Sequence, residues 1–296
     1  MTVRSASGRP PEDRVVTSVG DRRNTIVKVI RNARRTIAMS FFRCNDPAIF
    51  TELARAAARG VHVEALVTSR AKGGKGELKK LCAALEQTGA SVHAYHDPVV
   101  KYHAKYLVAD DGPAVVASCN FTKKCFGRTC DALVLTYDHE VVEGLRTLMA
   151  ADRDRRPLPA AVSPRLIIGP ERARRQFTAL IEQAHSSLRL IDPKLSDPDL
   201  VTLLNARLAD GLTVEVFGSK RLGHLKSHGK ILLIDDRIAV VGGLALAAIS
   251  LDFRREVAIV VEEPGAVAEV KELFQTIDAV PTAGRPRTAD AWELTL

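Results

Sequence analysis

The stretch His103-Ala104-Lys105-Tyr106-Leu107-Val108-Ala109-Asp110 returns later in the chain as His228-Gly229-Lys230-Ile231-Leu232-Leu233-Ile234-Asp235. Both copies read His, any residue, Lys, four mostly apolar residues, Asp. With 8 histidines, 14 lysines and 19 aspartates in 296 residues, chance placement gives roughly 0.02 such matches per chain, so one copy is a weak signal and two are a strong one. In an extended strand residues i and i+2 point to one face. His103 therefore shares a face with Lys105, and His228 with Lys230, while the apolar run after each Lys is core-like and holds the pair rigid.

The surroundings of the two copies repeat as well. Asp46-Pro47, Gly60 and Glu64 match Asp197-Pro198, Gly211 and Glu215 at an offset of 151, whereas the motifs, and Asp131 with Glu256, match at 125. A self-similar period of this kind marks an internal duplication. The spacing predicts a helix from Asp21 to Arg35, a strand over Thr36 to Phe42, a helix opened by Asp46-Pro47 and stopped by Gly60, and a strand over Val61 to Val67. The second copy predicts helix Glu171 to His185, strand Leu188 to Ile191, a helix from Asp197-Pro198 to Gly211, and strand Leu212 to Phe217. Each copy then carries its motif strand, a turn, two further strands and a helix, His139 to Met149 or Ala266 to Ile277. The change of offset places about 26 extra residues of the first copy between Thr68 and Asp97, with Arg70, Lys72, Lys75, Lys79 and Lys80, a helix to Gln87 and a strand near Val92. Gly73-Gly74-Lys75-Gly76 lacks the full phosphate-loop pattern, so a mobile basic rim is expected there. The expected divisions are an irregular arm over 1–19, a first repeat over 20–152, a linker over 153–164, a second repeat over 165–280 and a tail over 281–296, which holds Trp292.

Composition bounds the class. At 46% hydrophobic and 26% charged, the chain can bury a sizeable core. No apolar segment follows the N-terminus, and the greasiest run, Ile238 to Leu251, is too short to span a bilayer. A cytoplasmic monomer, peripheral at most to a membrane, is expected. Five cysteines without zinc-like spacing read as reduced thiols. The net charge of +8 falls on the first half, where 23 Lys and Arg face 15 Asp and Glu, against 20 and 20 in the second. That asymmetry points to an anionic partner. His224 and His96-Asp97-Pro98 read as loop residues.

If the copies pack about a pseudo-twofold axis, two histidines and two lysines converge on one pocket. Two ammonium groups can neutralise a phosphate, and two imidazoles, which titrate near neutrality, can divide the roles of nucleophile and proton donor. The duplicated His-x-Lys-x-x-x-x-Asp pattern, followed in the first copy by Ala117-Ser118-Cys119-Asn120, resembles the HKD motif of the phospholipase D superfamily. The resemblance covers roughly residues 20–280. It implies an α/β fold of two duplicated repeats, each a mixed sheet flanked by helices, packed as a pseudo-twofold pair. It also implies a phosphodiesterase or phosphatidyltransferase, a hydrolase or transferase of lipid metabolism, that works through a phosphohistidine with no metal or other cofactor.

By position, the resemblance assigns catalysis to His103, Lys105, His228 and Lys230, with Asp110 and Asp235 of the motif in structural or orienting roles. It assigns phosphate binding to Ser118 and Asn120, and Asp131 and Glu256 stand as acidic partners of the histidines. The second copy departs from the pattern, with Gly243 and Ala245 where the first has Ser118 and Asn120. There the backbone N–H groups of the Gly242-Gly243 pair are expected to meet the anion. His103, in the more complete copy, is expected to be the nucleophile. Phospholipid hydrolysis or headgroup exchange of the cardiolipin-synthase-like kind leads. A nuclease on the same machinery is the alternative, although base-stacking aromatics are sparse, and a non-catalytic phosphate-binding module is the third reading.

Overall fold

A computed structural model describes residues 13–70, 75–159, 162–218 and 221–278. Lys72, Gly73, Gly74, Trp292, most of the expected arm and the tail lie outside the described residues. The first repeat runs β1 (Arg14–Val16), α1 (Val19–Asn32), β2 (Thr36–Phe41), α2 (Pro47–Ala58), β3 (His62–Thr68), α3 (Lys75–Glu86), β4 (Ser91–Tyr95), β5 (Lys101–Tyr102), β6 (Tyr106–Ala109), β7 (Ala114–Ala117), α4 (Lys123–Arg128), β8 (Thr129–Cys130), β9 (Leu133–Thr136) and α5 (His139–Asp154). The second runs β10 (Leu166–Ile168), α6 (Ala173–Glu182), β11 (Ser187–Ile191), α7 (Pro198–Ala209), β12 (Thr213–Phe217), β13 (Arg221–Leu222), β14 (Leu225–Ser227), β15 (Lys230–Ile234), β16 (Ile238–Gly242), α8 (Ala248–Phe253), β17 (Arg254–Arg255), β18 (Val257–Val261) and α9 (Pro264–Asp278).

Local chemistry explains the boundaries. Asp46 accepts from Ala48 N–H at 3.0 Å to cap α2, and Asp197 accepts from Leu200 N–H at 3.1 Å to cap α7, each with Pro at the first turn. Gly60 and Gly211 leave these helices with φ of +86° and +94°, a backbone that side chains resist. Two readings change. Arg14–Val16 is not part of an irregular arm but a strand on β9. Helix α5 runs on to Asp154, so the linker begins inside it. Asp152, at its end, is buried and accepts from Arg255 Nε at 2.9 Å, while Arg255 also binds Glu171. The chain thus folds a buried ion network across the seam between the repeats.

The two mixed sheets run strand for strand in one order, β1-β9-β7-β6-β2-β3-β4 and β10-β18-β16-β15-β11-β12. Among the described strands of these two sheets, only β4 lacks a counterpart. It belongs, with α3, to the 26-residue excess of the first repeat.

Strand alternation sorts the core into layers. In β6, Leu107 and Ala109 face the core beneath α1, α2 and α3, while Tyr106 and Val108 face the other way. In β15, Leu232 and Ile234 meet α6 and α7, while Ile231 and Leu233 join Tyr106 and Val108 in one core shared by both repeats and by α5 and α9. Both motif strands are therefore buried on both faces, which is why they read as unbroken apolar runs. Each Leu or Ile so buried contributes about 1.5–3 kcal/mol.

Two small pairings cross between the repeats. β5 lies parallel to β17, with Lys101 opposite Arg254 and Tyr102 opposite Arg255. β14 lies parallel to β8, with Lys226 opposite Thr129 and Ser227 opposite Cys130. The partners exchange at the same 125-residue offset, the reciprocity that a twofold relation between the repeats requires.

Candidate active site

One residue beyond each crossing pair, the register lays a histidine of one repeat against a carboxylate of the other. His103 N–H donates to Arg255 C=O at 2.9 Å, and its Nδ1 meets Glu256 Oε1. His228 Nδ1 lies 2.9 and 3.1 Å from the two oxygens of Asp131. Asp131 and Glu256 are thus the acidic partners of the histidines, each serving the ring from the opposite repeat. With Nδ1 committed to a carboxylate, Nε2 is the atom of each ring left for chemistry.

The lysines follow the same symmetry. Lys105 Nζ donates to the carbonyl of His103, and Lys230 Nζ donates to that of His228 at 2.6 Å. His103 and Lys105 do share a face, with Lys105 Nζ 3.0 Å from His103 Nδ1, although they stand in an extended link before β6 rather than inside it. Burial pushes the Lys105 ammonium down to about 7, with Glu256 resisting and the charge of Lys230 adding to the fall. Burial first, and then Lys105, drive His103 to about 3 despite Glu256, so its imidazole is neutral at neutral pH. Glu256 is buried, which raises its pKa, but His103, Lys105 and Ser250 outweigh burial and hold it near 2. Asp131 is likewise kept below the usual carboxylate range: His228, Thr129 and Arg22 overcome its burial.

The two carboxylates are held differently. Ser118 Oγ donates to Asp131 Oδ1 at 2.7 Å and accepts from Ala132 N–H at 3.0 Å. Thr129 donates to Oδ2, and the buried Arg22 guanidinium stands 3.7 Å from the same oxygen. In the second repeat Gly243 has no hydroxyl, and Ser250 donates to Glu256 Oε2 in its stead. Ser250 is the counterpart of Cys125 at the 125 offset, so the compensating hydroxyl comes from a different element, α8, and the longer Glu reaches it.

Three assignments are revised. Gly243 N–H donates to Val257 C=O at 2.9 Å, so it does not face an anion. Gly242 is there because a Cβ would stand 2.3 Å from Ala258 Cα, a strand approach closed to side chains. Asp110 and Asp235 are not in the site. At the far end of each motif strand they accept from the N–H groups of residues 34–36 and 185–187, at 2.7–2.9 Å, and tie the helix-to-strand turn before β2 or β11. Arg70, placed on the basic rim, instead donates to the carbonyls of Asp97 and Pro98 and tethers the loop after β3.

Ser118 and Asn120, expected to bind phosphate, are buried beside the site strands, Ser118 with its hydroxyl engaged by Asp131 and Ala132 and Asn120 with its Oδ1 unpartnered. His96 and His224 are exposed, as loop residues should be.

The sequence reading missed Phe42, whose ring lies 4.1 Å from that of His103 and carries Arg43, Lys101 and Lys105 within 5.4–5.7 Å. It also missed Lys194, whose ammonium is pushed down by desolvation, Lys230 and Arg254. A signal was present, since Arg43 and Lys194 are both basic at the 151 offset. For Arg22, on a helix remote in sequence, there was none.

Among the described residues, no helix is long and apolar enough to cross a membrane. No curated protein sequence matches the chain. Residues 26–153 match the family model described as cardiolipin synthase, phospholipase D-like domain. In fold, the chain is similar to the phosphatidylserine synthase of Haemophilus influenzae Rd KW20 (TM-score 0.69, 14% identity, 92% of this chain and 86% of that one). It is also similar to the polyphosphate kinase of Porphyromonas gingivalis (TM-score 0.73, 18% identity, 91% of this chain), of which it spans 47%. Residues 26–153 thus match a phospholipase D-like domain by sequence, and the fold of the chain across both repeats is similar to that of these two proteins.

Proposed function

We propose that the chain is a phosphodiesterase of the phospholipase D type, acting through a phosphohistidine on phospholipids. The observation that carries this reading is the reciprocal pairing of His103 with Glu256 and His228 with Asp131 around Lys105 and Lys230. Neutral His103, its Nδ1–H held by Glu256, attacks phosphorus through Nε2. As the P–O bond to the leaving alcohol breaks, His228 supplies the proton from its own Nε2, and the ionised Asp131 stabilises the imidazolium that precedes this transfer. His228 then takes a proton from water or an acceptor alcohol, which attacks phosphorus and breaks the P–N bond, restoring His103. Lys105 and Lys230 neutralise the phosphoryl oxygens throughout.

A specific surface feature favours a lipid over a nucleic acid. Val99, Ile249 and Phe253 are 62%, 58% and 49% exposed. Ile249 and Phe253 are one turn apart on α8, and Val99 precedes β5, which pairs with the strand that follows Phe253. An apolar rim beside Lys101 and Arg254 suits acyl chains under phosphate headgroups. The test is product analysis in EDTA with phosphatidylglycerol vesicles and a short primary alcohol, beside single-stranded DNA in a parallel reaction. A phosphatidyl-alcohol product is expected. Cleavage of DNA without a lipid product would replace the lipid reading by the nuclease, and no product in either would favour the binding module.

A further inference from the structure

We infer that Cys125, Asp131 and His228 form a site for one soft divalent cation, zinc above all, and that the ion takes His228 out of the reaction. A sulfur, a carboxylate oxygen and an imidazole nitrogen from the three residues all lie within 4.8 Å of one another. Tetrahedral zinc with Zn–S of about 2.3 Å and Zn–N or Zn–O of about 2.0–2.2 Å sets its ligand atoms roughly 3.5 Å apart. The triad therefore closes on an ion by shifts on the order of 1 Å. Three protein ligands leave a fourth position for water, and the His228 side chain, 28% exposed, gives the entry path.

The chemistry of the donors selects the ion. A thiolate with an imidazole suits zinc or cadmium and not magnesium or calcium. The carboxylate is already ionised and buried. Arg22, 3.7 Å from Asp131 Oδ2, opposes the added charge, which sets the affinity below that of a four-ligand structural site. Nothing in the proposed reaction uses the Cys125 thiol. Its backbone is engaged, with its N–H to Thr122 Oγ1 and its C=O to Thr129 Oγ1, and its side chain is buried against the acid–histidine pair. Binding exchanges bonds in a defined way. The thiol proton leaves to solvent, the ion takes the Nδ1 position of His228, and the ring proton moves to Nε2. A zinc-bound imidazole of that tautomer neither gives up nor takes back its Nε2 proton near neutral pH, so the inhibition half of the proposal rests on the role given to His228 above. The other repeat has Ser250 at the matching position and no sulfur donor, so one ion per chain is expected.

The test strips the full chain with EDTA, then reads binding by equilibrium dialysis with zinc and by the thiolate-to-cobalt charge-transfer band with cobalt. Wild type and Cys82→Ser, a variant of the half-buried α3 thiol, should each bind one ion and show the band. Cys125→Ser should lose the band and require roughly 100-fold more zinc for inhibition. It should keep its fold, since the equivalent position already holds Ser250, and Cys125→Ala serves as a second variant. Magnesium should neither bind nor inhibit. A cobalt band that persists in Cys125→Ser, or zinc bound at full occupancy without inhibition of a soluble phosphodiester, would overturn the proposal. Because the cobalt arm needs no substrate, a chain without turnover would count against the phosphodiesterase reading alone, and the band would still decide the site.

Discussion

Replacing Glu256 with Gln should disable a histidine 153 positions away in sequence and in the other repeat. The substitution keeps shape and leaves an amide oxygen for His103 Nδ1–H, so only the charge is lost. When Nε2 attacks phosphorus the ring becomes positive, with Glu256 against its far nitrogen. A unit charge about 4 Å away at an effective dielectric of about 20 stabilises it by about 4 kcal/mol, which is about 10³-fold in rate. A second effect follows from Lys105, whose pKa of about 7 is held up by Glu256 against burial and Lys230. A lysine whose folded pKa is depressed is charged below that value and loses its charge as pH rises through it. In wild type, kcat/KM should therefore fall on the alkaline side near pH 7, and in Glu256→Gln that fall should move to lower pH. The assay is kcat/KM for a soluble phosphodiester across pH, in EDTA, for wild type, Glu256→Gln, His103→Ala and the double variant. The double variant should lose far less than the sum of the two single losses, since the larger part of the carboxylate's effect passes through the ring. A loss under about tenfold, an unmoved alkaline limb, or additive losses would refute the cross-repeat relay.

The remaining predictions concern the second histidine, the rim and the frame. His103→Ala and His228→Ala should each reduce turnover by roughly 10³-fold or more, because one attacks and the other moves the proton; near-wild-type activity in either would end the paired-histidine mechanism. Changing Val99, Ile249 and Phe253 together to Ser should weaken binding to anionic vesicles by about 2–4 kcal/mol while a soluble phosphodiester turns over normally, as read by vesicle sedimentation and kinetics. Equal losses on both substrates would remove the rim from lipid contact. Asp235→Asn should lower stability at neutral pH by about 1–3 kcal/mol, since the carboxylate accepts three backbone N–H groups, without changing kcat. Burial raises the Asp235 pKa, but the N–H groups of residues 185–187 outweigh it and hold it near 2. Its contribution is present above the ordinary carboxylate value and fades as pH falls toward 2. Denaturant titrations should therefore show the two proteins converging on acidification.

The duplication, the strand and helix alternation and the paired His and Lys are written in the sequence because each rests on local rules. Apolar period, Asp-Pro caps and Gly stops are properties of a few neighbouring residues, and a strand buried on both faces has to be apolar throughout. The change of offset even located α3 and β4 in the first repeat alone. What lay beyond reach depends on contacts between distant residues. The two-residue pairings β5–β17 and β14–β8 carry no period of their own, yet they decide that Glu256 serves His103 and Asp131 serves His228. Asp110 and Asp235 look catalytic in the motif, and only the packed turn beyond each strand shows their oxygens taken by backbone. Gly243 read as an anion cradle until strand β18 claimed its N–H. Phe42, Ser250 and Arg22 reach the site from elements that the motif does not touch. The residue types and their symmetry came from the sequence, while the partner of each charge was decided by the tertiary structure, because burial and register set which polar groups meet out of reach of water.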